Sequence, residues 1–334
     1  MSHPIAVAFL HGIGRTEPGY SRPLADAIAA RFVRTIRDEC SVPATQVVFE
    51  EVNWSGALQP SEDRLWSRFE AAEVMSHRSG IFEGVARGPA PNGSPAAAGG
   101  NALRWEALRH FMLDFAADAI AYQPTESDRS AYDAIHAEVA STFARLAERA
   151  GARAPLCVIG HSLGTVIASN YLYDLLKPRK SYMAPEVRAR IGSTPLERGE
   201  TVSLVYTMGS PIALWSLRYP GFGVPVSLPA RRLARHHPDL RARWVNLYDP
   251  DDVIGYPLKP VNARYAEAVA EDRAVDVGSW LTRWNPLSHT GYWGDAGVAS
   301  LIATDLAEAW RRSSAVALVP VRSTTRSRRA AASP

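Results

Sequence analysis

The residues whose types and spacing point to chemistry are Gly160-His161-Ser162-Leu163-Gly164, a G-x-S-x-G pentapeptide. Alone the pattern is weak, because glycine and serine are common. Its context strengthens it. The apolar stretch from Pro155 to Ile159 reads as a short strand. Leu163 to Leu176 has apolar residues at helical spacing and is stopped by Pro178. A serine at the tip of a sharp strand-to-helix turn projects its hydroxyl beyond the strand ends. Gly160 and Gly164 leave room for the crowded backbone around it. The amide of Leu163, at the helix N-terminus, is placed to donate to a developing oxyanion. A plainer reading makes Ser162 an ordinary helix N-cap. The strand on its other side favours the nucleophile.

With these flanks the stretch resembles the nucleophile elbow of the α/β-hydrolases, especially the lipases and esterases that carry GHSLG. The resemblance spans most of the chain, from its first strand through the helix after His289. It implies an α/β-hydrolase fold, a mostly parallel sheet with helices on both faces. It also implies a catalytic order of Ser, then Asp or Glu, then His. A serine hydroxyl needs a base to take its proton. The base needs a carboxylate that fixes its tautomer and stabilises the imidazolium.

The histidines after Ser162 are His236, His237 and His289. His289 lies in LSHTGYW, just before the last helix, where this fold places its base. His236 and His237 lie in RRLARHHPD and read as solvated surface. The acid is expected after the strand Trp244 to Tyr248, where Asp249, Asp251 and Asp252 compete. This stretch is similar to the acid loop of DDHD-type intracellular phospholipases, which carries Asp-Pro-Val-Ala-Tyr. Laying Tyr256 on the tyrosine of that motif puts Asp252 on its aspartate, although Val253, Ile254 and Gly255 depart from it. Asp252 is preferred, then Asp251, then Asp249. The other two are expected to cap the turn or meet water. As a cation site the three aspartates offer too few oxygens.

The second oxyanion donor of this fold comes from the loop after an early strand. Here that loop is His11-Gly12-Ile13-Gly14, and the matching donor is the amide of Ile13. A dinucleotide loop is the rival reading, but the full GxGxxG and its downstream acid are missing. Trp215, Tyr219 and Phe222, with Trp280, Trp284, Tyr292 and Trp293, are candidates for an apolar acyl pocket. For any single aromatic, core packing is the simpler explanation.

These residues need elements to hold them. Pro4 to Leu10 (PIAVAFL) is a continuous apolar run, as expected of a strand buried on both faces. A helix is expected over Leu24 to Ile36 and a strand over Gln46 to Trp54, the opening of a βαβ pattern. Residues 58–122 break the rhythm with two helical stretches, 62–75 and 102–121, around a Gly/Pro/Ala-rich segment at 80–100. They read as an insertion over the sheet, either a lid or a plain excursion. The pattern resumes with a helix over Asp128 to Arg149 and the strand before the elbow. A loop with a short helix follows over 177–199, then strands at Thr201 to Met208 and Arg243 to Tyr248 and a closing helix at Gly297 to Trp310. The chain thus reads as one hydrolase domain over 1–312 and a disordered basic tail over 313–334.

The bulk numbers are consistent with this. The chain has 334 residues, 46% of them hydrophobic, enough for one large core. A net charge of +3 without an aromatic-studded basic patch argues against a nucleic-acid partner. Two cysteines, Cys40 and Cys157, make no disulfide framework, and Cys157 in an apolar run is expected as a buried thiol. No signal-peptide pattern or long apolar span is evident, so a cytoplasmic enzyme is expected. The Arg-rich tail leaves peripheral contact with anionic lipid open.

The expected activity is hydrolysis of a carboxylic ester, from a small-molecule or lipid substrate, through an acyl-enzyme on Ser162, with neither metal nor organic cofactor. Thioesterase and peptidase activities share the same triad. A non-catalytic binding protein of the same fold is the rival from another class. Oligomeric state is left open.

Overall fold

A computed structural model describes residues 3–12, 16–57, 116–177, 182–218, 223–278 and 286–315. The insertion expected at 58–122 therefore lies outside the described residues, apart from helical backbone at 116–121 and Tyr122. Of the tail expected to be disordered over 313–334, residues 313–315 instead continue the closing helix, with Ser313 buried, and the rest lies outside the described residues.

The core is one six-stranded sheet of β1 (Ile5–Leu10), β2 (Val47–Val52), β3 (Leu156–His161), β4 (Val202–Met208), β5 (Arg243–Tyr248) and β6 (Glu271–Ala274). Its order is β2-β1-β3-β4-β5-β6, and every pairing is parallel. Parallel strands need crossovers, and helices supply most of them. These helices are α1 (Arg22–Ile36), α2 (Ser130–Ala150), α3 (Leu163–Leu176), α4 (Pro185–Arg190), α5 (Ile212–Trp215), α6 (Leu233–His236), α7 (Ala263–Ala268) and α8 (Ala296–Ala315). Among the described residues, no helix is long and apolar enough to cross a membrane.

The apolar runs in the sequence are explained by burial on two faces. Along β1, Ala6, Ala8 and Leu10 pack in one cluster with Phe143 of α2 and Ile167 of α3. Their neighbours Ile5, Val7 and Phe9 pack in the other with Phe32 of α1 and Ile302 of α8. A strand covered on both sides has no position for a polar side chain, so β1 reads as an unbroken apolar run. Cys157 of β3 is buried as a free thiol in the second cluster. The edge strand β6, EDRA, lacks this signal and was not expected from sequence. Its place is set by backbone pairing with β5.

This is an α/β-hydrolase fold: a parallel sheet covered by helices on both faces, with a sharp strand–serine–helix turn at its centre. The chain leaves β1 toward β2 on one side, while β3 lies on the other. In open α/β sheets such a reversal is where ligands usually bind, outside the carboxyl ends of the strands, here β1 and β3. The register aligns those ends. Leu10 pairs with Gly160, His161 with Met208, and Met208 with Leu247. Whatever follows these strands is therefore delivered to one edge of the sheet.

Candidate active site

Ser162 follows β3 directly and precedes α3. Its φ of 54° makes it the one non-glycine residue with positive φ among the described residues. Such a backbone costs about 1–3 kcal/mol and persists where the surroundings impose it. Here they do. A Cβ on Gly164 would lie 2.4 Å from the carbonyl oxygens of both Leu10 and His11, and one on Gly160 would lie 2.8 Å from the Gly164 oxygen. Only glycines allow α3 to start this close to β1. The Ser162 N–H donates to the Met208 carbonyl at 3.0 Å, which ties the turn to β4. Its Oγ is buried and has no hydrogen-bond partner among the described residues. Buried hydroxyls are normally satisfied, so this orphan calls for an explanation.

Asp252 and His289 meet in the same region. The His289 Nδ1–H donates to both carboxylate oxygens, 2.9 Å to Oδ1 and 2.8 Å to Oδ2. An ionised carboxylate only accepts, so the bonded Nδ1 carries a proton. Both side chains are buried, at 2% and 0% exposure. Burial alone would raise the Asp252 pKa. The hydrogen bond and charge of His289, the Ile254 N–H and the Tyr292 hydroxyl outweigh it, and the carboxyl lies below its ordinary range.

The rival aspartates are differently occupied. Asp249 is buried and caps the turn, accepting from the Asp251 N–H at 2.8 Å and the Val277 N–H at 2.7 Å. Asp251 is exposed.

Two contacts bring these groups together. The His161 Nε2–H donates to the carbonyl oxygen of His289 at 2.7 Å, and the two rings lie 4.8 Å apart. A Cβ on Gly209, just past β4, would meet Asp252 Oδ2 at 2.8 Å and His289 Cε1 at 3.1 Å. The loop after β1 closes the other side. A Cβ on Gly12 would lie 2.6 Å from Ser162 Cβ and 3.2 Å from its Oγ. His11 stacks on Trp54 at 4.4 Å, its carbonyl accepts from the Trp54 indole at 3.2 Å, and burial lowers its pKa to about 3. Leu163 is the first residue of α3, so its amide is at the helix N-terminus as expected. Ile13, the other expected donor, lies outside the described residues, although its neighbour Gly12 touches Ser162.

Some sequence expectations change. His237 is not surface. It is 3% exposed, and its Nε2–H donates to the Arg153 carbonyl at 2.7 Å. His236 is partly buried against Glu200 at 2.9 Å. Neither is placed with Ser162. Tyr292 is not an open pocket wall, because it has no exposed surface. Its hydroxyl donates to Asp252 Oδ2 at 3.0 Å and accepts from the Asp249 N–H at 2.8 Å. Nothing in its residue type signalled that role; only its position three residues after His289 hinted at it. Trp293 is partly buried near His161. Tyr219, Phe222, Trp280 and Trp284 lie outside the described residues.

No protein-family model and no curated protein matches the chain. Among solved structures, it is similar to an esterase domain from a Rhodothermus marinus protein, with 12% identity over 93% of this chain and 88% of that one and a TM-score of 0.29. It is also similar to a structure described under LipS and LipT, two metagenome-derived lipolytic enzymes, with 9% identity over 82% of each chain and a TM-score of 0.30. Likeness at this level carries no argument about residues or activity. The fold rests on the sheet order and the strand–serine–helix turn.

Proposed function

We propose that this protein is a serine hydrolase that cleaves a carboxylic ester through an acyl-enzyme on Ser162. The observation that carries the reading is a strained, buried serine with an unpartnered hydroxyl, held beside a buried His289–Asp252 pair. A buried orphan hydroxyl on a strained backbone costs stability, and catalysis is the reason such a feature is retained.

In the proposed cycle Ser162 Oγ attacks the ester carbonyl as His289 Nε2 takes its proton. Asp252 keeps the Nδ1 proton in place and stabilises the imidazolium. The amides of Leu163 and Ile13 hold the oxyanion. His289 then protonates the leaving alcohol, and a water molecule repeats the sequence on the acyl-enzyme. The substrate approaches at the carboxyl edge of the sheet, at the chain reversal between β1 and β3.

The test is turnover of p-nitrophenyl esters from acetate to palmitate, wild type beside Ser162→Ala. Activity that falls about 10⁶-fold in the folded variant supports a triad acting as a unit. A folded Ser162→Ala protein with wild-type turnover overturns it. The preferred chain length separates an esterase from a lipase, and thioester and peptide substrates assayed in parallel separate the sister activities.

A further inference from the structure

His161 is the first x of the G-x-S-x-G turn, and the proposed cycle gives it no part. Its surroundings do. The ring is buried and sits between three components of the site. It is covalently next to Ser162. Its Nε2 lies 2.7 Å from the His289 carbonyl oxygen. Its Nδ1 side faces the loop after β1, where a Cβ on Gly12 would meet it at 3.3 Å. The rings of Tyr292 and Trp293 flank it, each at 5.5 Å.

The hydrogen bond has one possible direction, because a carbonyl oxygen only accepts. His161 must therefore carry its proton on Nε2. Burial, followed by the charge of nearby His289, drives its pKa down to about 3. The ring consequently stays neutral near neutral pH, and the bond to the His289 carbonyl fixes its Nε2–H tautomer.

Resting on the hydrolase reading above, we propose that His161 is a positioning residue, whose Nε2–H pins the backbone of the base to the turn that carries the nucleophile. Ser162 and His289 are 127 residues apart in sequence (289 − 162) and lie on separate segments. They must nevertheless keep hydrogen-bond reach of one another while Oγ moves onto and off the acyl carbon. A donor on the residue adjacent to the nucleophile, bonded to the main chain of the base, links the two without occupying the lone pair of His289 Nε2. Its placement against Gly12 registers the oxyanion loop to the same point.

The experiment compares His161→Phe and His161→Gln with wild type and Ser162→Ala. Kinetics are measured with the best p-nitrophenyl ester, and folding by thermal melting. His161→Phe keeps a planar ring but loses the donor. It should lower kcat between about tenfold and 10²-fold, as expected of a sub-ångström to ångström misplacement, with KM changed less than about twofold. His161→Gln, which brings an N–H donor, should recover part of that loss. A folded Phe variant with wild-type kcat, or Phe and Gln variants equally impaired, overturns the proposal. Heteronuclear NMR of histidine-labelled wild type needs no variant to fold. A neutral Nε2–H tautomer for His161 that does not titrate between pH 5 and 8 supports it, and an Nδ1–H tautomer or titration in that range sinks it. If wild type and Ser162→Ala turn over equally, the hydrolase reading fails by itself, and the NMR result still decides the hydrogen bond.

Discussion

Two buried histidine clusters flank the sheet, and they differ in what their histidines can do. In the first, His289 Nδ1 is bonded to the Asp252 carboxylate at 2.8 Å, and the pair lies beside a strained serine at the strand ends. In the second, His136 of α2 lies against Tyr132 and Tyr171, and its Nε2 bonds the Tyr122 hydroxyl at 3.0 Å. His136 has no carboxylate bonded to its ring, and its Nδ1 has no partner among the described residues. Burial then lowers its pKa to about 3. A buried imidazole needs a paired negative charge before it can accept a proton near neutral pH. Both clusters contain histidine, tyrosine and a nearby aspartate, but only the first has the aspartate on the imidazole. Asp174 in the second bonds the Tyr182 N–H at 2.9 Å, and burial leaves its pKa raised.

Substitutions can break this comparison. The largest difference is expected from Asp252→Asn, which leaves shape intact but cannot hold the Nδ1–H tautomer. Ester turnover should fall about 10⁴-fold, against no more than about twofold for His136→Phe in the second cluster. A His136 variant that is folded yet inactive would abolish the distinction. Next comes Tyr292→Phe. It strips a donor from Asp252 and leaves the buried Asp249 N–H without its 2.8 Å acceptor, so unfolding free energy should drop by about 1–3 kcal/mol in urea titrations. Loss of the Tyr292 donor also raises the proton affinity of Asp252. The acid limb of kcat/KM should then move upward, and an unmoved limb would count against the link.

The pH dependence of stability involves both clusters. His11, His136 and His161 are each lowered to about 3 by burial. Unfolded, each would titrate near ~6.5. Below that pH the unfolded chain binds more protons than the folded one. Stability is therefore fully present above about pH 6.5 and declines as pH falls toward 3, by up to about 1.4 kcal/mol per pH unit for each histidine. Urea midpoints between pH 7.5 and 4.5 should show this slope, reduced in His136→Phe. A flat midpoint would show that these rings are not buried neutral.

The legible part of the molecule was local. The turn around Ser162 could be read because strand, glycines and helix are neighbours in sequence, and steric demand on Gly160 and Gly164 acts over a few bonds. The interior strands could be read because burial on both faces leaves an unbroken apolar run. The ends of α3 and β5 match their sequence expectations, with Pro178 following the one and Asp249-Pro250 the other. By contrast β6 could not be read. Glu271 to Ala274 has no apolar pattern, and an edge strand draws its conformation from the partner it pairs with.

What the sequence by itself determined is the strand–serine–helix turn and the order in which Ser162, the three aspartates at 249–252 and His289 appear along the chain. Only the tertiary structure decided which aspartate faces His289. Three of them lie within four residues, Asp249 to Asp252, and are chemically alike. Turn geometry directs Asp249 to the Asp251 and Val277 amides, leaves Asp251 in water, and puts Asp252 on the ring. It also decided that Tyr292 bonds a carboxylate rather than lining an open pocket, and that His237 is buried on Arg153. The physical reason is the same in each case. A hydrogen bond depends on where a side chain points within a few ångströms, and segments far apart in sequence settle that direction only when they pack.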